Sequence, residues 1–243
     1  MCYGDEARPP APPVPGEIGE HGDLVLTSAG GVRFAAYHAR PVQPPSRGIV
    51  ILPDVRGLHQ FYKDLACRFA EAGLHAIAFD YFGRTAGLTA RDEEFAFREH
   101  LDQTQPKTIA EDVAAAVEFL RAQPGIGPVF TVGFCFGGSN SWAQSAAGHD
   151  LAGCMGFYGI PSRVESLVPD MQAPLLLLAA GADFTPPETV AAFAEQVRAV
   201  GVEASMTVFE GAPHSFFDRT FAEHADACAQ AWREMLSFMD AHS

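Results

Sequence analysis

The residues of this chain placed to do chemistry are a cysteine, an aspartate and a histidine. Gly133-Phe134-Cys135-Phe136-Gly137-Gly138 stands where an apolar strand pattern, Pro128 to Gly133, gives way to a helical one, Phe136 to Ala147. Gly-x-Cys-x-Gly at a strand-to-helix turn is the pattern of a nucleophile elbow with Cys in place of Ser, because small neighbours permit a strained turn that exposes the central side chain. The turn also puts the sulfur near a helix N-terminus, whose partial positive charge favours thiolate. A free cysteine is as often a small buried hydrophobe, so the downstream residues must decide. Asp183 ends Gly181-Ala182-Asp183, after the apolar run Leu175 to Ala180, and His214 lies in Gly211-Ala212-Pro213-His214-Ser215-Phe216, after the run Glu203 to Phe209. Singly, the aspartate reads as a capping or loop carboxylate and the histidine as a turn residue. Together they give the order nucleophile, acid, histidine, each directly after its own strand. In that arrangement His214 can accept the thiol proton and later activate water, while Asp183 fixes the imidazole tautomer. An oxyanion at such a site needs two convergent donors. The backbone N–H of Phe136 is one, and that of Val55, in the loop after Gly48 to Leu52, is the expected other.

The elements that must position these residues alternate along the chain. Leu24 to Thr27, the pair Gly30-Gly31, and Val32 to His38 read as an antiparallel hairpin. Strands are expected at Gly48 to Leu52, Leu74 to Phe79, Pro128 to Gly133, Gly153 to Tyr158, Leu175 to Ala180 and Glu203 to Phe209. Helices are expected at His59 to Ala72, with Gly73 as its cap, and at Thr108 to Ala122, Phe136 to Ala147, Pro187 to Val200 and Phe221 to Asp240. The charged stretch Arg91 to Gln105 reads as a partly helical insertion, either a lid over the sheet mouth or a plain surface helix. Repeated strand-helix alternation implies an α/β fold with a mostly parallel central sheet, helices on both faces and the N-terminal antiparallel hairpin at one edge. Ligands of such sheets sit at the carboxyl ends of strands, here after Leu52, Phe79, Gly133, Ala180 and Phe209. Residues 1–16, with five prolines between Pro9 and Pro15, are expected to be a disordered polyproline-like tail outside the core, and residues 17–243 to form one domain.

Composition narrows the function classes. The chain has 243 residues, 48% hydrophobic and 19% charged, with 16 Lys+Arg against 30 Asp+Glu for a net charge of −14. That balance repels phosphate backbones and anionic lipid, so neither nucleic acid nor membrane is expected as a partner. No apolar run approaches 18 residues and the N-terminus lacks a signal-like apolar region, while five cysteines are too few for a disulfide framework; a cytoplasmic protein is expected. His224 and Cys228 are one helical turn apart, but Cys228 falls on the apolar stripe and no further ligands converge, so no metal is expected. No phosphate-binding glycine motif is present, so no nucleotide is expected. Phe136, Trp142, Phe157 and Tyr158 read as buried aromatic packing, and Cys67, Cys154 and Cys228 as core residues.

Taken together, Leu52-Pro53-Asp54-Val55-Arg56-Gly57-Leu58, Phe79-Asp80-Tyr81-Phe82-Gly83-Arg84, the Cys135 elbow, Gly181-Ala182-Asp183 and Gly211-Ala212-Pro213-His214-Ser215-Phe216 resemble the dienelactone hydrolase family, α/β-hydrolases that use Cys-Asp-His. The resemblance spans roughly residues 20–240. It implies an α/β-hydrolase fold and a cofactor-free hydrolase of small-molecule carboxylic esters or lactones, of the carboxymethylenebutenolidase type. Cys135 would attack the carbonyl, and water would hydrolyse the resulting thioester. A thioesterase or other acyl hydrolase on the same triad, and a non-catalytic binding protein on the same scaffold, are the alternatives. The chain departs from the family pattern at two places. Asp54 stands where the best-known members carry a Glu that contacts the resting thiol. Arg84 matches the first of two arginines that hold a substrate carboxylate, but the second falls at Asp218, with Arg219 next to it. Arg56 and Arg219 are the remaining candidates for that carboxylate, a surface salt bridge being the other reading.

Overall fold

A computed structural model describes residues 6–218 and 221–243. Eight strands, β1 (Ile18–Thr27), β2 (Arg33–Pro41), β3 (Gly48–Leu52), β4 (His75–Phe79), β5 (Val129–Phe134), β6 (Gly153–Phe157), β7 (Leu175–Ala182) and β8 (Ala204–Pro213), form one sheet in the order β1-β2-β4-β3-β5-β6-β7-β8. Strands β3 to β8 pair in parallel, whereas β2 pairs antiparallel with both β1 and β4. The helices are α1 (Gln60–Glu71), α2 (Gly83–Ala86), α3 (Phe97–Leu101), α4 (Pro106–Arg121), α5 (Phe136–Ala143), α6 (Pro187–Ala199) and α7 (Ala225–Ala241). This is the expected α/β architecture, with the hairpin at one edge.

The inner strands read as continuous apolar runs because both faces of the sheet are covered. Ile49 and Ile51 of β3, Ala76 and Ala78 of β4, and Leu176 and Leu178 of β7 pack with Phe61, Leu65 and Phe69 of α1 and Trp232 and Met235 of α7. The alternate residues Val50, Leu52, Ile77, Phe79, Leu175 and Leu177 pack on the other face with Val113 and Val117 of α4, Trp142 of α5 and Phe193 of α6. Side chains alternate with period two along a strand, so one apolar sequence serves two cores. Helix α1 ends as its Gly73 predicts. The glycine has φ 89°, the Gly73 N–H donates to Ala70 O at 2.9 Å and the Leu74 N–H to Phe69 O at 3.0 Å, the paired bonds of a left-handed helix stop.

Strand β3 lies between β4 and β5, so the chain winds first to one side of β3 and then to the other. The loops leaving β3 and β5 therefore part, and the crevice between them is where a doubly wound sheet binds its ligands.

Three expectations change at the level of elements. Helix α5 stops at Ala143 and tightens into a three-residue turn, Gln144–Ala146, where the buried Ser145 hydroxyl donates to Ala173 O at 2.7 Å. Helix α7 starts at Ala225 rather than Phe221; the preceding residues form turns, with the His224 N–H donating to Phe221 O. Cys67 is half-buried, its sulfur 3.8 Å from the Tyr37 hydroxyl, whereas Cys154 and Cys228 are buried.

The described part of the proline segment also differs from a free tail. Pro9, Pro10 and Pro12 are buried, the Trp232 indole N–H donates to Pro10 O at 3.2 Å, and the Gly16 N–H donates to Glu71 O at 2.7 Å. Proline has no N–H to satisfy, so its ring can cover an apolar helix face while its carbonyl accepts from the indole. Removal of residues 1–12 is therefore expected to lower stability and to red-shift the fluorescence of Trp232, one of two tryptophans in the chain. Chemical denaturation of the truncated protein with emission spectra checks this, and an unchanged midpoint and spectrum would show the segment to be inert.

Candidate active site

The turn from β5 into α5 is built by exclusion. A Cβ on Gly133 would lie 1.9 Å from Gly137 O, one on Gly137 would lie 2.0 Å from Leu52 O, and one on Gly138 would lie 2.3 Å from Phe157 O. The helix start is thereby pressed onto the ends of β3 and β6, with no space for side chains at those three positions. Between them Cys135 adopts φ 56° and ψ −113°, a strained conformation for any residue with a Cβ. Its N–H donates to Phe157 O at 3.1 Å, and its carbonyl accepts from the Gly138 and Ser139 N–H groups at 3.0 and 3.4 Å. The bonds of α5 begin at Gly138, so the N–H of Phe136 precedes the helical ladder.

Asp183 and His214 are brought together by strand pairing. The β7/β8 ladder shifts register after Ala180 and resumes with Ala182 opposite Pro213, which leaves Asp183 and His214 as the next residue of each strand. His214 Nδ1 lies 2.9 Å from both Asp183 Oδ1 and Asp183 Oδ2. The aspartate side chain is only 2% exposed and the histidine 16%. The carboxylate fixes which nitrogen carries the proton: Nδ1–H donates to Asp183 and Nε2 is left as the basic atom. That Nε2 is buried and has no hydrogen-bond partner among the described residues.

Tyr158 joins the two halves. It follows Phe157, whose carbonyl holds the Cys135 N–H, and its ring centroid lies 4.9 Å from that of His214. Burial pushes the Tyr158 hydroxyl far above its usual range, with Asp218 and Cys135 adding to the shift; the hydroxyl donates to Asp218 Oδ2 at 3.2 Å. Phe184, 66% exposed, also lies near the histidine, its ring centroid 4.6 Å from that of His214.

The loop after β3 is held from below. The Tyr81 hydroxyl donates to Pro53 O at 2.7 Å, the Asp54 N–H donates to the Tyr62 hydroxyl oxygen at 3.0 Å, and Asp54 Oδ1 accepts from the Arg56 N–H at 2.8 Å. Gly57, at φ 75°, lets the loop pass over Asp80, where a Cβ would lie 2.4 Å from Oδ1. Asp80 itself is fully buried. Its oxygens accept from the N–H groups of Leu58 and Phe82 and from Arg91, whose Nε and Nη2 lie at 3.1 and 2.8 Å. Such a two-pronged pair loses about 3–5 kcal/mol when one partner is removed, because the other charge is left buried. Arg91 is thus no surface residue of an insertion: it ties that segment to the loop carrying Val55. Tyr81 is pushed well above its usual range by burial first, then by Asp54, Asp80 and Cys135. His59, overlooked in the sequence, lies buried 3.9 Å from Asp54 Oδ1 and is held down to about 3 by burial and by Arg56.

The expected substrate arginines are placed differently. Arg84 extends to α4, with Nη1 2.5 Å from Asp112 Oδ2 and Nη2 3.3 Å from both Glu111 Oε2 and Ser28 Oγ. Burial lifts the Asp112 carboxyl to about 6 against the pull of that guanidinium. Arg56 is buried in the β3 loop, and Arg219 lies outside the described residues. Among the described residues no cluster of three or more His, Cys, Asp or Glu could hold a metal ion, and no helix is long and apolar enough to cross a membrane.

Comparison with known proteins agrees with this fold. The model of the dienelactone hydrolase family matches residues 34–243. Carboxymethylenebutenolidase of Pseudomonas putida is 28% identical over 228 residues, covering 89% of this chain and 94% of its own length. The crystal structure of a dienelactone hydrolase-like promiscuous phosphotriesterase from metagenomic libraries superposes with a TM-score of 0.77 at 23% identity, covering 92% of this chain and 99% of that one. An esterase of Pyrococcus furiosus gives 0.70 at 15% identity, covering 92% and 93%. The likeness to these two solved structures is one of fold.

The tight turn makes a direct prediction. Gly137→Ala is expected to cost about 1–3 kcal/mol of stability through the clash with Leu52 O. Gly22→Ala, on β1 with open space around it, is expected to leave stability unchanged. Urea denaturation of both variants decides, and equal midpoints would contradict the close approach.

Proposed function

Because the chain belongs to the dienelactone hydrolase family, we propose that it hydrolyses carboxylic esters or lactones through a thioester on Cys135, with His214 carrying the proton and Asp183 orienting it. The observation that carries this reading is the pair of bonds from His214 Nδ1 to Asp183 together with the strained turn at Cys135. The first leaves Nε2 as the acceptor, and the second is the conformation that lifts a nucleophile out of a strand end.

Sγ of Cys135 bonds to the substrate carbonyl carbon as the thiol proton passes to Nε2 of His214. The carbonyl oxygen becomes an oxyanion, and the N–H groups of Phe136 and Val55 are its donors in this mechanism. Collapse of the tetrahedral intermediate breaks the carbon–oxygen bond, and the departing alkoxide takes the proton from His214. Water, deprotonated by Nε2, then adds to the thioester; the C–S bond breaks and the thiolate recovers its proton. One ester and one water give one acid and one alcohol, with no redox change. Asp183 holds the imidazolium between the two transfers without itself taking the proton. Tyr158 packs on the imidazole and keeps its plane fixed. The work falls to groups of this chain, and a small neutral or anionic carbonyl compound is the partner it requires.

Cys135→Ala is expected to lower kcat on 4-nitrophenyl butyrate by at least about 10³-fold with the fold intact, and Asp183→Asn by about 10⁴-fold through the wrong tautomer. Steady-state kinetics with a circular-dichroism check decide. Wild-type turnover by folded Cys135→Ala would remove the cysteine from the mechanism.

A further inference from the structure

Between α4, α5 and the segment after β6 lies a hollow of about 200 Å³. Its apolar wall is Ile109 of α4, Ala143 of α5, and Val164 and Leu167 of the segment after β6, with the ring of Phe136. Neither Cys135 nor His214 lines it, so the hollow is separate from the reacting atoms, although Phe136 is the residue after the cysteine. The volume is comparable to the ~150 Å³ void that accepts one benzene, room for one ring or one short chain.

The polar groups of the hollow are unequal. Ser139 Oγ accepts from the Ile160 N–H at 2.7 Å, the Thr104 hydroxyl donates to Leu101 O at 2.8 Å, and the Asn140 amide donates to Phe136 O at 2.8 Å. Arg163 differs from these. Its guanidinium carbon stands 5.7 Å from the centre of the Phe136 ring, and among the described residues no carboxylate lies within ion-pair distance of it. The guanidinium groups of Arg84 and Arg91, by contrast, are on carboxylates. No Asp or Glu among the described residues lines the hollow, and the first turn of α4 holds Lys107 and no acid. In a chain of net charge −14 this is a local reversal of sign. Contact with the ring holds the guanidinium beside the hollow while leaving its N–H donors for an acceptor. Arg163 is exposed, so water screens its charge, and the apolar wall must supply the rest of any affinity.

We propose that this hollow is an accessory binding site for a small monocarboxylate, the carboxylate on Arg163 and a single alkyl chain or ring against Ile109, Val164, Leu167 and Phe136. A neutral ligand of the same shape would leave the guanidinium to water, and an anion with no apolar part would gain nothing from the wall. Monocarboxylic acids are the class of product that ester hydrolysis releases, yet the binding stands apart from the hydrolase reading and its test needs no turnover.

Isothermal titration calorimetry of the full chain with hexanoate, hexanamide and acetate at neutral pH is the test. Hexanoate is expected to bind with a Kd of about 1–10 mM, and hexanamide and acetate at least about threefold more weakly. Arg163→Gln is expected to bring hexanoate to the level of hexanamide, and Arg163→Lys to restore part of the difference. Ala143→Leu, which fills the hollow, is expected to weaken hexanoate and hexanamide alike. Arg163 is exposed, so its replacement leaves the core undisturbed, and a urea midpoint for each variant checks the fold. Equal binding of hexanoate and hexanamide by the wild type, or no binding of hexanoate up to about 50 mM, would overturn the proposal. So would hexanoate binding that Arg163→Gln leaves unchanged, which would put the acid elsewhere, the catalytic cleft included. None of these results bears on ester hydrolysis by Cys135.

Discussion

Three glycines in the β5–α5 turn meet backbone at distances that no Cβ tolerates, and the rest of the site follows from that contact. Gly137 rests on the carbonyl of Leu52 at the end of β3, and Gly138 on that of Phe157 at the end of β6. The first residue of α5 is thereby fixed against the β3 loop, and the cysteine between is forced to a positive φ. Backbone strain of order 1–3 kcal/mol persists only where surrounding packing over-determines it. Here the packing consists of β3, β5 and β6, whose residues are buried on both faces.

The second half of the site is held by weaker means. Asp183 and His214 leave neighbouring parallel strands one residue after the pair Ala182 and Pro213, so their meeting depends on a register shift and not on a crowded turn. A buried ring supplies further contact: the Tyr158 ring centroid lies 4.9 Å from that of His214. The loop after β3 is fixed by charge, through the buried carboxylate of Asp80 and its clasp by Arg91. Steric exclusion, aromatic packing and a buried ion pair therefore each position one part of the candidate site at the carboxyl ends of the strands.

Much of this could be read from the sequence because strong local constraints write themselves into residue types. Strands covered on both faces are unbroken apolar runs, and a turn with no room for Cβ atoms demands glycine at Gly133 and Gly137. Strand ends likewise pointed to Asp183 and His214. Tyr158 sits at such an end too, after β6, yet its aromatic character made it look like packing alone. Long-range polar pairs had no such signature. Arg91 reaches Asp80 across an irregular segment, and Arg84 meets Asp112, a carboxylate 1% exposed on a helix whose apolar stripe gave no sign of a buried acid. The proline segment misled for a related reason, since the absence of N–H groups that bars it from a helix also lets it lie flat over Trp232.

The central claim is that the sulfur of Cys135 bonds to the acyl group. Mixing the protein with 4-nitrophenyl acetate, quenching in acid within the first turnover and mapping the added acetyl group by peptide mass spectrometry tests it most directly. The account predicts one acetyl group on the peptide containing Cys135, lost on further incubation at neutral pH before the quench. Acetylation of another residue with Cys135 unmodified, while 4-nitrophenol is released at the full rate, would contradict it.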